Sequence, residues 1–144
     1  LKYHILKVDP KKKILFNPDE SIDFNGNTGP FIQYTYVRIK SILYKNDNNS
    51  IEFNDIKLVK KEKELIIILC EFKNVLNNSV KTLNPSLIAN HIYELVKLYN
   101  SYYQTHTILG DKSINSFRVF LSEKVAFQIE KSMALLGVSV PDRM

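Results

Sequence analysis

From Ile114 to Leu136, apolar side chains return every third or fourth residue: Ile114, Phe117, Leu121, Val125, Ile129, Met133 and Leu136. Only an α-helix gathers that register onto one face, so this stretch constrains the fold more than any other. Gly137 follows as a left-handed cap, and Pro141 beyond it prevents the helix from resuming. The same period recurs in Ile88, Ile92, Leu95, Tyr99 and Tyr102, behind an Asn84-Pro85 start signal. It recurs again in Ile32, Tyr36, Ile39 and Leu43, behind Thr28-Gly29-Pro30 and ahead of the polar stop Asn46-Asp47-Asn48-Asn49-Ser50. Gly110-Asp111 interrupts the chain before the last helix, which is placed from about Lys112 to Leu136.

A further helical stretch covers roughly Lys61 to Leu83, although the β-branched run Ile66-Ile67-Ile68 keeps a strand open as the competing reading there. Four helical segments with short connections predict an all-α fold, an antiparallel helical bundle. A chain of 144 residues buries one ordinary core. The opening reads differently. Residues 2–8 are rich in strand formers, Asp9-Pro10-Lys11 is a turn, and Lys13 to Phe16 resumes apolar, which predicts a short β-like N-terminal segment. Asn17-Pro18-Asp19-Glu20 is a cap and first turn. The organisation expected is therefore an appendage over residues 1–24 and a helical domain over 25–144.

Several chemistries find no footing. Four glycines, Gly26, Gly29, Gly110 and Gly137, make neither a phosphate-cradling loop nor a dinucleotide fingerprint. His4, His91 and His106 lack metal-ligand spacing and read as surface or capping residues. Cys70, the single cysteine, excludes an internal disulfide and reads as a small core residue. Asp19, Glu20 and Asp23 sit near a helix start, where carboxylates complement the dipole. The run Leu65 to Cys70 is bounded by Glu64 and Glu71 and is too short for a bilayer. No signal peptide is visible, so a cytoplasmic setting without membrane attachment is expected. A chain opening on Leu1 inside a predicted strand reads as a piece of something longer.

Twenty Lys and Arg against fifteen Asp and Glu give a net charge of +5, which leans toward anionic partners. One helix concentrates that character. Phe31, Tyr34, Arg38, Ser41 and Lys45 form a second stripe, about 130–150° from the Ile32/Tyr36/Ile39/Leu43 stripe. Rings followed by cations suit unpaired nucleic acid, where bases stack and phosphates need neutralising. The alternative is that a neighbouring helix packs on this face with Arg38 and Lys45 solvated at its edge. Tyr99, Tyr102 and Tyr103 crowd another helix end, Tyr99 as core and the other two at its margin. Lys11-Lys12-Lys13 and Lys60, Lys61 and Lys63 read as solvated charge or phosphate contacts.

The segment Phe24-Asn25-Gly26-Asn27-Thr28-Gly29-Pro30-Phe31-Ile32-Gln33-Tyr34 resembles the arginyl-tRNA synthetases where they enter their helical anticodon-binding domain. Lys7-Val8-Asp9-Pro10-Lys11-Lys12, then Phe16-Asn17-Pro18-Asp19-Glu20-Ser21, and the ending Leu135-Leu136-Gly137-Val138 with Pro141-Asp142-Arg143-Met144 carry the same resemblance. It implies a class I ligase that joins arginine to its tRNA with ATP and magnesium. The His-Ile-Gly-His and Lys-Met-Ser-Lys-Ser signatures of that chemistry are absent here, so no catalytic residue and no cofactor site is expected in this piece. ATP and Mg would act in an upstream catalytic domain of the same chain, with residues 1–24 as its tail. The family's Asp-Ala-Leu-Arg signature stands as Asn115-Ser116-Phe117-Arg118, with Arg118 in a structural role. By position, the resemblance assigns anticodon contacts to Phe31, Tyr34, Tyr103 (or its neighbour Tyr102) and Met144; Arg38 and Lys45, from the second stripe, would neutralise phosphate. The partner expected is the anticodon loop of arginine tRNA. A free-standing RNA-binding module and a protein-interaction module are the alternatives.

Overall fold

The computed structural model describes residues 1–14, 17–46, 56–110 and 113–144, and within them every regular element is an α-helix. Two short helices, α1 (Lys2–Leu6) and α2 (Pro18–Ile22), precede four long ones: α3 (Gly29–Tyr44), α4 (Lys60–Thr82), α5 (Ser86–Thr105) and α6 (Ser113–Leu135). The helix starts follow the sequence signals. Asn17 accepts a bond from the Asp19 amide at the head of α2, and Thr28 accepts one from the Phe31 amide at the head of α3. Asn84 Oδ1 accepts from both the amide and the hydroxyl of Ser86 at the head of α5. Gly137 ends α6 with φ +66°, a conformation that L side chains adopt only under strain.

Packing turns the stripes inward. α5 lies centrally against α3, α4 and α6, while α3 also packs along α6. Ile32 and Ile39 from α3, Ile92, Leu95, Val96 and Tyr99 from α5, and Val125, Ile129 and Met133 from α6 are fully enclosed. Each such aliphatic side chain contributes about 1.5–3 kcal/mol. Tyr99 donates its hydroxyl to Ser122 Oγ at 2.9 Å, and burial pushes its phenol up to about 12.

Three expectations are corrected. The opening segment is helical, not β-like: residues 2–6 form α1, Lys13 and Ile14 have no regular structure, and Leu15 and Phe16 lie outside the described residues. A strand needs a partner, and none exists among the described residues. What residues 2–6 find instead is the flank of α5, where Tyr3 is buried and donates to the Ala89 carbonyl at 2.9 Å and to Asn27 Oδ1 at 2.7 Å. Tertiary burial thereby overrides strand propensity. Secondly, Cys70 is exposed, not core. The helical turn sends Leu65, Ile66, Leu69, Phe72 and Leu76 toward the bundle and rotates Cys70 outward. The same burial pattern settles residues 65–69 as helix rather than strand. Thirdly, His4 is buried on α1 and is not a surface residue.

His91 supplies a pH test. It is half-buried against the Phe72 ring, its Nε2 has no hydrogen-bond partner, and burial holds its pKa below the ordinary value, outweighing the nearby Glu71 carboxylate. The unfolded chain therefore binds this proton at higher pH than the folded one. Stability is fully present above about pH 6.5 and is lost as pH falls through and below that value. The urea midpoint is expected to drop between about pH 7.5 and about pH 5.5, and less so in His91→Phe. Equal slopes in the two proteins would assign the pH effect elsewhere.

Candidate nucleic-acid interface

The second stripe of α3 lies along the seam with α5. Phe31 is part-buried against the core, with its ring 6.1 Å from that of Tyr93. One turn on, Tyr34 is 45% exposed and meets the exposed Phe24 ring edge-on at 6.3 Å. Arg38 follows one further turn along. Its guanidinium carbon stands 4.8 Å from the Tyr34 ring centre and 5.1 Å from that of Tyr103, which reaches over from α5. The cation is thus sandwiched between two rings of different helices.

Hydrogen bonds fix this arrangement in the plane. Arg38 Nη1 donates to Asn100 Oδ1 at 2.8 Å, and Asn100 Nδ2 donates to Thr35 Oγ1 at 2.8 Å. Thr35, fully buried, donates in turn to the Phe31 carbonyl. The amide of Asn100 is therefore committed in orientation, and through it the guanidinium. Beside the stack opens a groove of about 380 Å³, lined by Phe24, Asn25, Phe31, Tyr34, Arg38, Asn100 and Gln104. No carboxylate lines it. Aromatic faces, a fixed guanidinium edge and the unengaged amide of Gln104 make a surface on which a flat, polar-edged, anionic ligand would stack.

The six candidate residues do not all meet there. Phe31, Tyr34 and Arg38 line the groove, and Tyr103 completes the stack from α5. Its neighbour Tyr102 is fully buried, donating to Glu62 Oε1 at 3.1 Å, and burial together with that carboxylate drives its pKa well above the ordinary tyrosine range. Lys45, exposed at the C-cap of α3, lies two helical turns beyond Arg38 and outside the lining. Met144 is exposed at the end of a tail that Gln33 ties to α3 through the Ser139 carbonyl, and it too is outside the lining. Sequence reasoning assigned no role to Phe24, Asn100 and Gln104. Asn100 and Gln104 flank Tyr103 by three residues and one, so the face of α5 around that tyrosine held the missing signal.

Arg118 turns away from the groove. Its Nε pairs with the wholly buried Glu62 at 2.9 Å and its Nη1 donates to the Thr107 carbonyl. Glu62 also accepts from the Val59 amide that opens α4. Among the described residues no cluster of side chains suits a metal ion, and no helix is long and apolar enough to cross a membrane.

A family profile described as the DALR anticodon binding domain matches residues 32–144. The chain belongs to this family. The DALR match takes in nearly all of α3 and everything after it, including Tyr34, Arg38, Asn100 and Tyr103. Among relatives, a Flavobacterium psychrophilum protein named arginine–tRNA ligase is 54% identical over the whole of this chain and 24% of its own length. A Porphyromonas gingivalis protein of the same name is 46% identical, again over all of this chain and 25% of its own. The DALR chain thus spans about a quarter of the length of these curated relatives. Its fold is similar to that of one part of the Thermus thermophilus arginyl-tRNA synthetase, with TM-score 0.90 and 24% identity over 99% of this chain and 26% of that one. The Plasmodium falciparum arginyl-tRNA synthetase gives 0.89 at 25% identity over the same shares.

Proposed function

We propose that this chain is the anticodon-reading part of an arginine–tRNA ligase, and that residues 25–144 receive the anticodon loop of arginine tRNA. Residues 1–24 would be the tail of a preceding catalytic region, where ATP and Mg serve the ligation in the cytoplasm. Recognition, not bond-making, is the task of this piece. The observation that carries the reading is the groove beside the Tyr34–Arg38–Tyr103 stack, a carboxylate-free cleft with rings for bases and a fixed cation. Phe31 and Tyr34 would hold splayed bases, Arg38 would bond to a base edge or phosphate, and Lys45 and the terminal Met144 would border the loop. Correct seating of the anticodon would place the acceptor end in the catalytic region.

Binding of the full-length protein to arginine tRNA, compared with the same tRNA carrying a changed central anticodon base, tests this. A single mismatched readout is expected to cost about tenfold or more in affinity, or ~1.4 kcal/mol upward. Affinity should also fall with salt as phosphate contacts are screened. Equal affinity for both tRNAs would reject the anticodon reading and favour a protein-interaction role.

A further inference from the structure

A second cavity, of about 560 Å³, lies beyond the same aromatic partition. Tyr103 and Gln104 at the end of α5, Thr107 and Leu109 in the loop that follows, and Ile42 of α3 bound it. Gln104 lines both cavities, Arg38 only the first, and Tyr103 only the second, so the Arg38–Tyr103 stack is the wall between them. One face of the Tyr103 ring is taken by the guanidinium. The ring also lines the second cavity.

The second cavity is held open from behind. Asn115 Nδ2 donates to the carbonyls of Thr107 and Ile108 at 3.2 and 3.1 Å, and Arg118 Nη1 donates to Thr107 at 2.9 Å. This gives the Asn115-Ser116-Phe117-Arg118 motif a task, since two of its residues brace the loop wall before any ligand arrives. The side chains of Gln104 and Thr107 are exposed and make no hydrogen bond among the described residues. Gln104 offers a donor and an acceptor, the pair a base edge requires. No carboxylate lines the space, in contrast to the apolar cleft between α4 and α5, which carries Glu64 and Glu94.

We propose that this cavity is a subsite for one further unpaired nucleotide, the strand neighbour of the one held against Tyr34. The proposal rests on the anticodon reading above. The base stacks on Tyr103, and Gln104 stands at the junction of the two cavities to bond its edge.

The test uses the full-length protein and an RNA hairpin carrying the arginine anticodon loop, with 2-aminopurine placed at one loop position at a time. Two consecutive positions are expected to change emission on binding. Thr107→Leu, at an exposed site where the added bulk spares the fold, narrows only the second cavity. It is expected to abolish one of the two responses and weaken RNA binding about tenfold, within the range for one stacked base. Gln104→Ala should reduce the preference among bases at that same position. A single responding position, or two responses and an affinity untouched by Thr107→Leu, overturns the second subsite while leaving the anticodon reading in place. No response at any position overturns both.

Discussion

Replacing Tyr34 by alanine in the full-length protein is expected to weaken arginine tRNA by about five- to 150-fold, the equivalent of ~1–3 kcal/mol for one stacked base. The ring is 45% exposed, so little folding energy depends on it, and the thermal midpoint should hardly move. The loss has two parts. A stacking platform disappears, and Arg38 is left with one ring instead of two, free to swing about its bond to Asn100. Tyr34→Phe retains ring and sandwich and should retain most of the affinity. Titration of labelled tRNA against the three proteins separates these terms. Unchanged affinity for Tyr34→Ala, with the fold intact, excludes the groove as the RNA site.

The second large effect concerns stability. Arg118→Ala is expected to cost about 3–5 kcal/mol, because it strands a carboxylate in a space closed to water. Glu62 has no exposed side-chain surface, and without the guanidinium only the Tyr102 hydroxyl and the Val59 amide would remain to it. The Thr107 carbonyl loses a donor as well. Urea denaturation of wild type, Arg118→Ala, Glu62→Leu and the double variant forms a cycle in which the double change should recover much of the loss, since paired removal leaves no orphan charge. A double variant no more stable than Arg118→Ala alone would show that the ion pair is not what the single change breaks.

The bundle was readable because its register is one-dimensional. Ile32, Tyr36 and Ile39, or Leu121, Val125 and Ile129, declare their common face by spacing alone, and Asn17, Thr28, Asn84 and Gly137 mark helix ends through local hydrogen bonds or local backbone geometry. The errors fall where the deciding contacts are distant. Nothing near Tyr3 reveals that Ala89, in a helix 86 residues away, will accept its hydroxyl proton. Cys70 has apolar neighbours in sequence, yet its place on the turn, not its neighbours, sets its exposure. The candidate site divides along the same line. Phe31, Tyr34 and Arg38 belong to one helix face and follow from its period. Asn100, Gln104 and Phe24 join them only because α3 and α5 meet as they do, which no spacing within either helix dictates.

Tyr3 fits over Gly29, where a β-carbon would already touch its own at 3.4 Å, and its hydroxyl reaches the spine of α5. That five-residue helix works as a cork, closing the bundle at the end where α3 begins. Anyone trimming the chain to residues 25–144 for expression would pull the cork and bare an oily socket. The smallest piece able to present the groove therefore includes residues that never approach it.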